Sequence, residues 1–543
     1  MPARLTSESA VSFSPMSSSV VSILVSAVLF AVALPNELLL YGSPIVGAIA
    51  LVPLYRALRD APNGRKAARL GALFGLVSTL LTNFWLMFFR DYSVWTIGGT
   101  AIGYTAYNFL LGGLLWLVLR ARTAWRPVLF ALLWTLYEYA KSIGFLGYPW
   151  GLAAYPFNTV IPLIQIVDIT GVWFLSFLVV YLNATVAELI DRPRLGGGFS
   201  VFHRHAAMVL ILFAGTLAYG GISLSRDIPV RDEVDMLLVQ QNIDMWIAGD
   251  IASALEGLQE QTAEALADSE PPDLVVWSET SLRYPLERSR GWYERNPPEQ
   301  PFTQFVRQLP APLLTGAPYF NAERDEFYNA ALLLSGEADI DQWYGKQQLV
   351  PFAELTPFWD VTIIRRFFQE VVGISAIWAR GPEYRLFRVP SDQGTVLAGT
   401  PICFEDGFAR VTAGFVRNGA DLLINLTNNA WSRTNSAQVQ HFVAARFRAV
   451  ETRRTLVRST NAGYTTVVDP WGRTTDSVPM FEAATLRVNV PVRVPDRESV
   501  YLYWGDYLPQ LLAVLFAVLA IVQGIKKRGA EAPLLKRNTV TTS

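Results

Sequence analysis

The chain has 543 residues, 51% of them apolar and 17% charged, with a mean hydropathy of +0.27. That is too apolar for a protein living wholly in water and too charged for one living wholly in lipid, so a membrane part joined to a soluble part is expected. A formal net charge of −1 offers no basic field for a nucleic acid; one cysteine and three histidines exclude an intrachain disulfide and leave no ordinary metal set, so chemistry without metal or cofactor is expected.

Apolar runs at 20–35, 37–55, 70–89, 97–119, 127–142, 161–190, 206–224 and 508–525 each approach the roughly 20 residues that cross a bilayer as a helix. They predict a polytopic helical bundle of about eight spans. Its parts are an N-terminal membrane domain over 1–225, a soluble domain over 226–505, a last span over 506–528 and a cytoplasmic tail over 529–543. Arg56, Arg59, Arg65, Lys66 and Arg69 follow the second run, Arg120, Arg122 and Arg126 the fourth, and Arg192, Arg194 and Arg204 the sixth. Alternate loops are thus basic, and Lys526, Lys527 and Arg528 follow the last run, so both ends are predicted cytoplasmic and 226–505 extracytoplasmic. Ala31-Val32-Ala33 resembles a signal-peptidase site, which leaves cleavage near Leu34 as an alternative that keeps the same topology. Glu138 and Lys141 share one helix face near an outer end, with Asp168 at the next outer start. They read as interfacial charges, a local ion pair or a headgroup site.

Beyond residue 226 the pattern changes to short β-branched runs at Met236–Gln240, Leu274–Trp277, Leu313–Ala317, Ala330–Leu334, Val396–Thr400, Leu422–Leu426 and Thr465–Val468. Helical patterns at 250–268, 407–418 and 436–453 alternate with some of them, which makes an α/β sandwich the natural class.

Cys403 ends one such strand, with a turn and a helix through about Asn418 after it. A thiol there is expected to have a lowered pKa from the helix dipole and to face free backbone N–H groups; the alternative is an inert buried cysteine. Glu279 closes another apolar strand, and Lys346 lies among apolar and aromatic residues in Trp343-Tyr-Gly-Lys346-Gln-Gln-Leu-Val-Pro-Phe-Ala-Glu354. Carboxylate, ammonium and thiol suffice for acyl transfer: the first moves protons, the second stabilises thiolate and oxyanion, and the third is the nucleophile.

The Glu279, Lys346 and Cys403 contexts resemble the nitrilase, or carbon-nitrogen hydrolase, superfamily, as do Asn425-Leu-Thr-Asn428-Asn429-Ala-Trp431, Arg446-Phe-Arg-Ala-Val-Glu451, Ser459-Thr-Asn461-Ala-Gly463 and Asp469-Pro-Trp-Gly472. Tyr344-Gly-Lys346 through Glu354, the flanking spans and Tyr148-Pro-Trp150-Gly are similar to its apolipoprotein N-acyltransferase branch. The resemblance implies an αββα nitrilase-like sandwich, with Glu279 as general base, Lys346 as electrostatic stabiliser and Cys403 as nucleophile. Glu354 would support Lys346, and Glu405 would be a further glutamate just past the cysteine. Asn428 and Trp431 become candidate substrate contacts. Phe404 stands where many members carry tyrosine, which removes a hydroxyl but keeps a backbone N–H for the oxyanion. Trp246 comes earlier than the family's gating tryptophan, so its assignment to that role stays open.

The resemblance also implies a bacterial inner-membrane monomer that takes a fatty acyl group from a phospholipid and gives it, through a thioester, to the α-amine of a diacylglyceryl-cysteine on an apolipoprotein. Two rivals are a membrane-tethered amidase that gives the acyl group to water, and a transporter or receptor, for which the spans hold few midplane charges. Finally, within 358–374, Ile364, Phe367, Phe368 and Val371 fall on one helical face. This segment reads either as a helix on the domain core or as an amphipathic arm in the headgroup region, with Ile364 and Phe368 guiding an acyl chain.

Overall fold

A computed structural model describes residues 18–89, 93–121, 124–195, 199–243, 250–336, 338–356, 358–372 and 378–531. The first part is helical: α1 (Ser18–Ala33), α2 (Pro44–Gly47), α3 (Val52–Arg59), α4 (Gly64–Thr82), α5 (Ser93–Leu119), α6 (Arg126–Ser142), α7 (Ile161–Ile164), α8 (Val167–Thr170), α9 (Trp173–Leu195) and α10 (Phe199–Ser225). Among the described residues, three helices are long and apolar enough to cross a membrane, within Ser93–Leu119, Trp173–Asp191 and Val201–Ser225. Ser18–Ala33 and Tyr507–Val522 are apolar but shorter.

The run at 37–55 does not form one helix. Within it Pro44 and Pro53 cannot continue a preceding helix and instead open α2 and α3, and the chain turns at Gly42 (φ +73°), where a Cβ would lie 2.2 Å from the Ala33 carbonyl oxygen. Only the short α2 and α3 remain helical in that stretch. The run at 161–190 divides likewise, at Gly171 (φ +60°) between α8 and α9.

The helices run between two faces. On one, Asp191 accepts from Arg56 (2.7 Å) and Arg59 (2.6 Å), Glu188 accepts from the Tyr55 hydroxyl (2.6 Å), and the Ala61 carbonyl accepts from Arg120 (2.7 Å). The opposite face meets the α/β part. Glu138 and Lys141 form no ion pair with each other there: Glu138 accepts from Trp134 Nε1 and the Ala153 amide, while Lys141 donates to the Trp150 carbonyl. Asp168 pairs instead with Arg453 of the α/β part (2.8 Å) and with the Tyr219 hydroxyl.

That part comprises β1 (Val230–Gln240), α11 (Ile251–Leu266), β2 (Leu274–Trp277), α12 (Leu286–Tyr293), α13 (Phe302–Gln308), β3 (Leu313–Asn321), β4 (Glu326–Ser335), β5 (Asp339–Gly345), α14 (Thr362–Phe367), β6 (Leu386–Ser391), β7 (Gly394–Gly399), α15 (Ala409–Arg417), β8 (Leu422–Thr427), α16 (Asn435–Thr452), β9 (Leu456–Thr460), β10 (Thr466–Val468), β11 (Thr474–Ser477) and β12 (Ala484–Arg493). Two more helices follow, α17 (Val500–Trp504) and α18 (Tyr507–Glu531); from residue 532 onward the expected tail lies outside the described residues. The strands form two six-stranded sheets, ordered β12-β1-β2-β3-β4-β5 and β11-β10-β9-β8-β7-β6. Alternation along β1 shows the layering: Leu237 and Val239 join Leu255, Leu258 and Phe305 of α11 and α13, whereas Met236 and Leu238 belong to the core shared with the second sheet. Each such side chain, fully buried, contributes roughly 1.5–3 kcal/mol.

The helix α16 has no solvent face. Every residue from Ser436 to Thr452 is buried, because one side packs on the second sheet and the other is covered by the helical bundle. Its polar residues are therefore satisfied across that junction. Gln440 donates to the Pro35 and Thr82 carbonyls (2.9 and 3.0 Å), Arg446 to Asn158 Oδ1 (2.9 Å), and Glu37 accepts from the Ser436 amide (2.9 Å).

Candidate active site

Three chain segments converge at the ends of β2, β5 and β7. Glu279 leaves β2 at a turn in which Thr280 has φ +59°, and this turn presses on β3 where only glycine fits: a Cβ on Gly316 would lie 2.5 Å from Glu279 Cα. Lys346 follows β5 directly. Its amide donates to the Asn329 carbonyl (2.8 Å), its carbonyl accepts from the Gly381 amide (2.9 Å), and its side chain is 1% exposed. Cys403 begins a tight 3-10 turn, Cys403–Gly407, ahead of α15, rather than the first turn of a helix. It holds a left-handed conformation, φ +53°, which costs a non-glycine residue roughly 1–3 kcal/mol and is kept only where the surroundings impose it. They do so here: Asn425 Nδ2 donates to the Cys403 carbonyl (2.9 Å), and Ile402 pairs with Leu426 of β8.

The Lys346 ammonium lies 2.9 Å from Glu354 Oε1 and 3.5 Å from Glu279 Oε1. Both carboxylates are further tied down. Asn329 Nδ2 donates to Glu279 (3.0 Å) and Glu354 (2.8 Å), the Asn428 amide donates to Glu279 Oε2 (2.9 Å), and the Val350 amide donates to Glu354 Oε2 (2.7 Å). Burial alone would push the ammonium toward deprotonation, but the charges of Glu354 and Glu279 outweigh it and hold the Lys346 pKa above its ordinary value. The thiol behaves in the opposite sense to the expectation from a helix dipole. Burial, followed by the Glu279 charge, raises the Cys403 pKa well above its ordinary value, and Lys346 offsets this only in part. Burial of the sulfur dominates, the nearby carboxylates of Glu279 and Glu354 add to it, and the short turn supplies no full helix to offset them. The resting group is a thiol with an acceptor for its proton beside it.

Glu405 is buried, receiving the amides of Gln347 and Gln348 (2.8 Å each) on one oxygen and that of Ile402 (2.8 Å) on the other. It stitches the lysine loop to the cysteine turn. Burial lifts its pKa to about 7 against the pull of those amides. Phe404 places its ring 5.3 Å from the Lys346 ammonium and joins an apolar cluster with Trp85, Tyr148, Trp150 and Trp431. The Asn428 side chain accepts from Asn461 (3.2 Å), while Trp431 packs edge-on against Phe89 (4.9 Å). Trp246 lies outside the described residues.

The segment after Glu354 is not a core helix: no residue of α14 is buried, and the turn widens to a π-helix over Phe368–Val372. Ile364 and Phe368 line, with Phe358, Ile363 and Phe367, an open apolar groove of about 440 Å³. Phe368 stacks on Phe352 (5.8 Å), which meets Phe145 of the bundle (5.6 Å), and Phe367 meets Trp95 of α5 (6.1 Å).

Sequence reasoning passed over Asn329, which bridges the two carboxylates, and the Asp406 pair, in which a buried carboxylate accepts from His441 Nε2 (2.7 Å) and Arg458 Nε (2.9 Å). Asn329 carried a signal, a lone amide at the head of the apolar run Ala330–Leu334. The partners of Asp406 come from strands and helices distant in sequence and carried none.

Residues 26–185 match the family described as Apolipoprotein N-acyltransferase N-terminal domain, and residues 238–494 match that described as Carbon-nitrogen hydrolase. Apolipoprotein N-acyltransferase 2 of Treponema denticola is 39% identical over 94% of this chain and 98% of its own length. The chain belongs to the apolipoprotein N-acyltransferase family. Further relatives of that name, from Borreliella burgdorferi (30% identical, 91% of this chain and 94% of theirs) and Geobacter metallireducens (31% identical, 91% and 93%), are likewise matched across bundle and α/β part together. The carbon-nitrogen hydrolase match takes in Glu279, Lys346, Glu354, Cys403 and Glu405, and the N-terminal match takes in Trp150, so both halves of the family's architecture meet at the cluster described above.

Proposed function

We propose that this protein transfers a fatty acyl group from a membrane phospholipid to the α-amine of an apolipoprotein's N-terminal diacylglyceryl-cysteine, in two steps through a thioester on Cys403. In the first step Glu279 takes the Sγ proton as sulfur attacks the ester carbonyl. The Lys346 ammonium and the Phe404 backbone N–H stabilise the oxyanion; the tetrahedral adduct expels the lysophospholipid alkoxide, which receives that proton from Glu279. In the second step the acceptor amine attacks the thioester, Glu279 removes the amine proton, and the adduct collapses to an amide and the Cys403 thiolate, which takes that proton back from Glu279. Glu354 keeps Lys346 in place and charged. The observation that carries this reading is the shared ammonium: one buried Lys346 within 3.5 Å of two carboxylates, with the cysteine turn held beside it.

The chain would cross the bacterial inner membrane eight times, with the broken α2–α3 pair as the second crossing and the α/β domain outside the cytoplasm. The basic loops 56–69 and 120–126 support this, as does the split between a charged face and a face docked on α16. The domain limits follow, at about residues 225, 505 and 528. The arm 358–372 would lie in the headgroup region with its open apolar groove receiving the donor's acyl chain, so that Ile364 and Phe368 contact lipid, while Asn428 and Trp431 contact substrate nearer the thiol; Trp246 remains a candidate substrate contact on its sequence position alone.

The decisive experiment incubates the full chain in phospholipid-containing micelles and measures the mass of the Cys403 peptide. A mass gain of one acyl chain, lost on adding a diacylglyceryl-cysteine peptide with a free amine, is the expected result. Acyl release to water without amine acylation would make the protein a hydrolase, and no adduct at all would remove Cys403 as nucleophile.

A further inference from the structure

The turn that carries Cys403 is gripped residue by residue from the α/β domain: Cys403 by Asn425, Glu405 by the Gln347 and Gln348 amides, and Asp406 by His441 and Arg458. Gly407, its last residue, is held differently. Its carbonyl accepts from Arg448 Nη1 (3.2 Å), while its Cα rests on a ring from the bundle: a Cβ there would lie 3.1 Å from Trp150 Cζ3 and 3.2 Å from Cη2, closer than side chains ordinarily tolerate. The same indole stacks on Tyr148 (5.0 Å, 5° between planes) and lies 5.6 Å from the His441 ring that holds Asp406. Trp150 is itself fixed. Its carbonyl accepts from the buried ammonium of Lys141 in the last turn of α6, and Tyr148 donates to Asn83 Oδ1 (2.7 Å) at the end of α4.

We propose that Trp150 is a positioning residue for the acyl transfer: the bundle segment 148–151, tethered by Lys141, backs the Cys403–Gly407 turn and keeps the nucleophile in its left-handed conformation. The inference rests on the reading of Cys403 as nucleophile. A residue at φ +53° is strained, and removing a wall behind the turn lets it relax. A displacement of about 1 Å at a reacting atom costs on the order of 10²-fold in rate. The bundle is then part of the catalytic apparatus as well as a membrane anchor, and the α/β domain depends on it for a competent thiol. Lys141 finds its use here: it is buried, and among the described residues its hydrogen-bond acceptor is the Trp150 carbonyl rather than Glu138.

The test uses the full chain in detergent with five variants, Trp150→Ala, Trp150→Phe, Gly407→Ala, Gly407→Ala with Trp150→Ala, and Cys403→Ala as the control on the nucleophile. For each that keeps Cys403, kcat and KM for phospholipid, the pH profile of Cys403 alkylation by iodoacetamide and the thermal midpoint are measured, and Cys403→Ala is assayed for transfer alone. Trp150→Ala is expected to lower kcat by about 10–100-fold with KM changed less than about 3-fold, and to alter the alkylation profile, whereas Trp150→Phe, which keeps a flat ring behind the turn, recovers most of the rate. Gly407→Ala collides with the indole and loses activity alone, and removing the indole restores part of it, so the two substitutions are strongly non-additive. Additive losses, or an effect of Trp150→Ala on KM alone, would overturn the proposal and make Trp150 a substrate contact. An unchanged alkylation profile in Trp150→Ala overturns it as well, even if Cys403→Ala is dead. Retained activity in Cys403→Ala instead sinks the nucleophile assignment, whatever Trp150 does.

Discussion

Replacing Glu405 by glutamine tests how the lysine loop and the cysteine turn are joined. The carboxylate receives two amides, from Gln347 and Gln348, on Oε1, and one, from Ile402, on Oε2, with the Tyr344 hydroxyl at 3.1 Å from both oxygens. Glutamine keeps one acceptor oxygen, which is best spent on the two amides, so its NH2 faces the Ile402 N–H donor to donor. One buried N–H is thereby left unsatisfied, at a cost of about 1–3 kcal/mol. In a domain of this size that is a fall of roughly 2–10 °C in the thermal midpoint. Glu405→Ala strands all three amides and opens a cavity, so its loss should be at least about twice as large. The pH dependence has a definite sign. Burial raises the folded pKa from 4.5 to about 7, so the folded state holds the extra proton between those values, and the stability this group contributes is fully present below 4.5 and lost as pH rises through 7. The gap between wild type and Glu405→Gln should therefore shrink from pH 5 to pH 8. Thermal unfolding in detergent across that range reads both quantities. Equal midpoints for the glutamine and alanine variants, or a gap that widens with pH, would refute the argument.

Other outcomes follow from the site. Cys403 alkylation should keep rising tenfold per pH unit beyond pH 9, because the thiol pKa is raised; a plateau below pH 8 would show a preformed thiolate and contradict the burial argument. Glu279→Gln should slow thioester formation about 10²–10⁴-fold, checked by rapid-quench mass spectrometry of the Cys403 peptide. Asn329→Asp sets a third carboxylate against two that already share one ammonium, and should depress transfer more than Asn329→Ala does at pH 7, with partial recovery as pH is lowered; the reverse order would deny the bridge. Ile364→Glu with Phe368→Glu should cripple transfer from bilayer phospholipid while Cys403 stays reactive toward a small water-soluble thiol reagent, and a joint loss of thiol reactivity and thermal stability would mark the arm as structural.

What was legible in the sequence was local in cause. Runs such as Leu274–Trp277 and Leu422–Leu426 announced buried strands because β-branched and apolar residues fit a pleated surface covered on both faces, and the chemistry-bearing residues stood out as polar groups at the ends of such runs. The strands β5, β6, β9, β11 and β12 were less visible: β11 is largely exposed, and β12 alternates, so neither shows a continuous apolar run. The apolar run at 37–55 does not make one helix, and hydropathy does not show this because it sums over a window and is blind to the two prolines inside it, Pro44 and Pro53, and to the turn at Gly42.

The sequence by itself determined the division into a helical part and an α/β part, the family and which polar groups end the strands near the thiol, since each of these depends on residue type and spacing along one stretch of chain. Only the tertiary structure decided the state of those groups. Whether Cys403 rests as thiol or thiolate depends on a sum of burial and charges brought together from β2, β5 and β7, and the sum came out opposite to the one inferred from its neighbours in sequence. The all-round burial of α16 and the seating of Trp150 behind Gly407 are of the same kind, because desolvation and contact act through space and are blind to chain order.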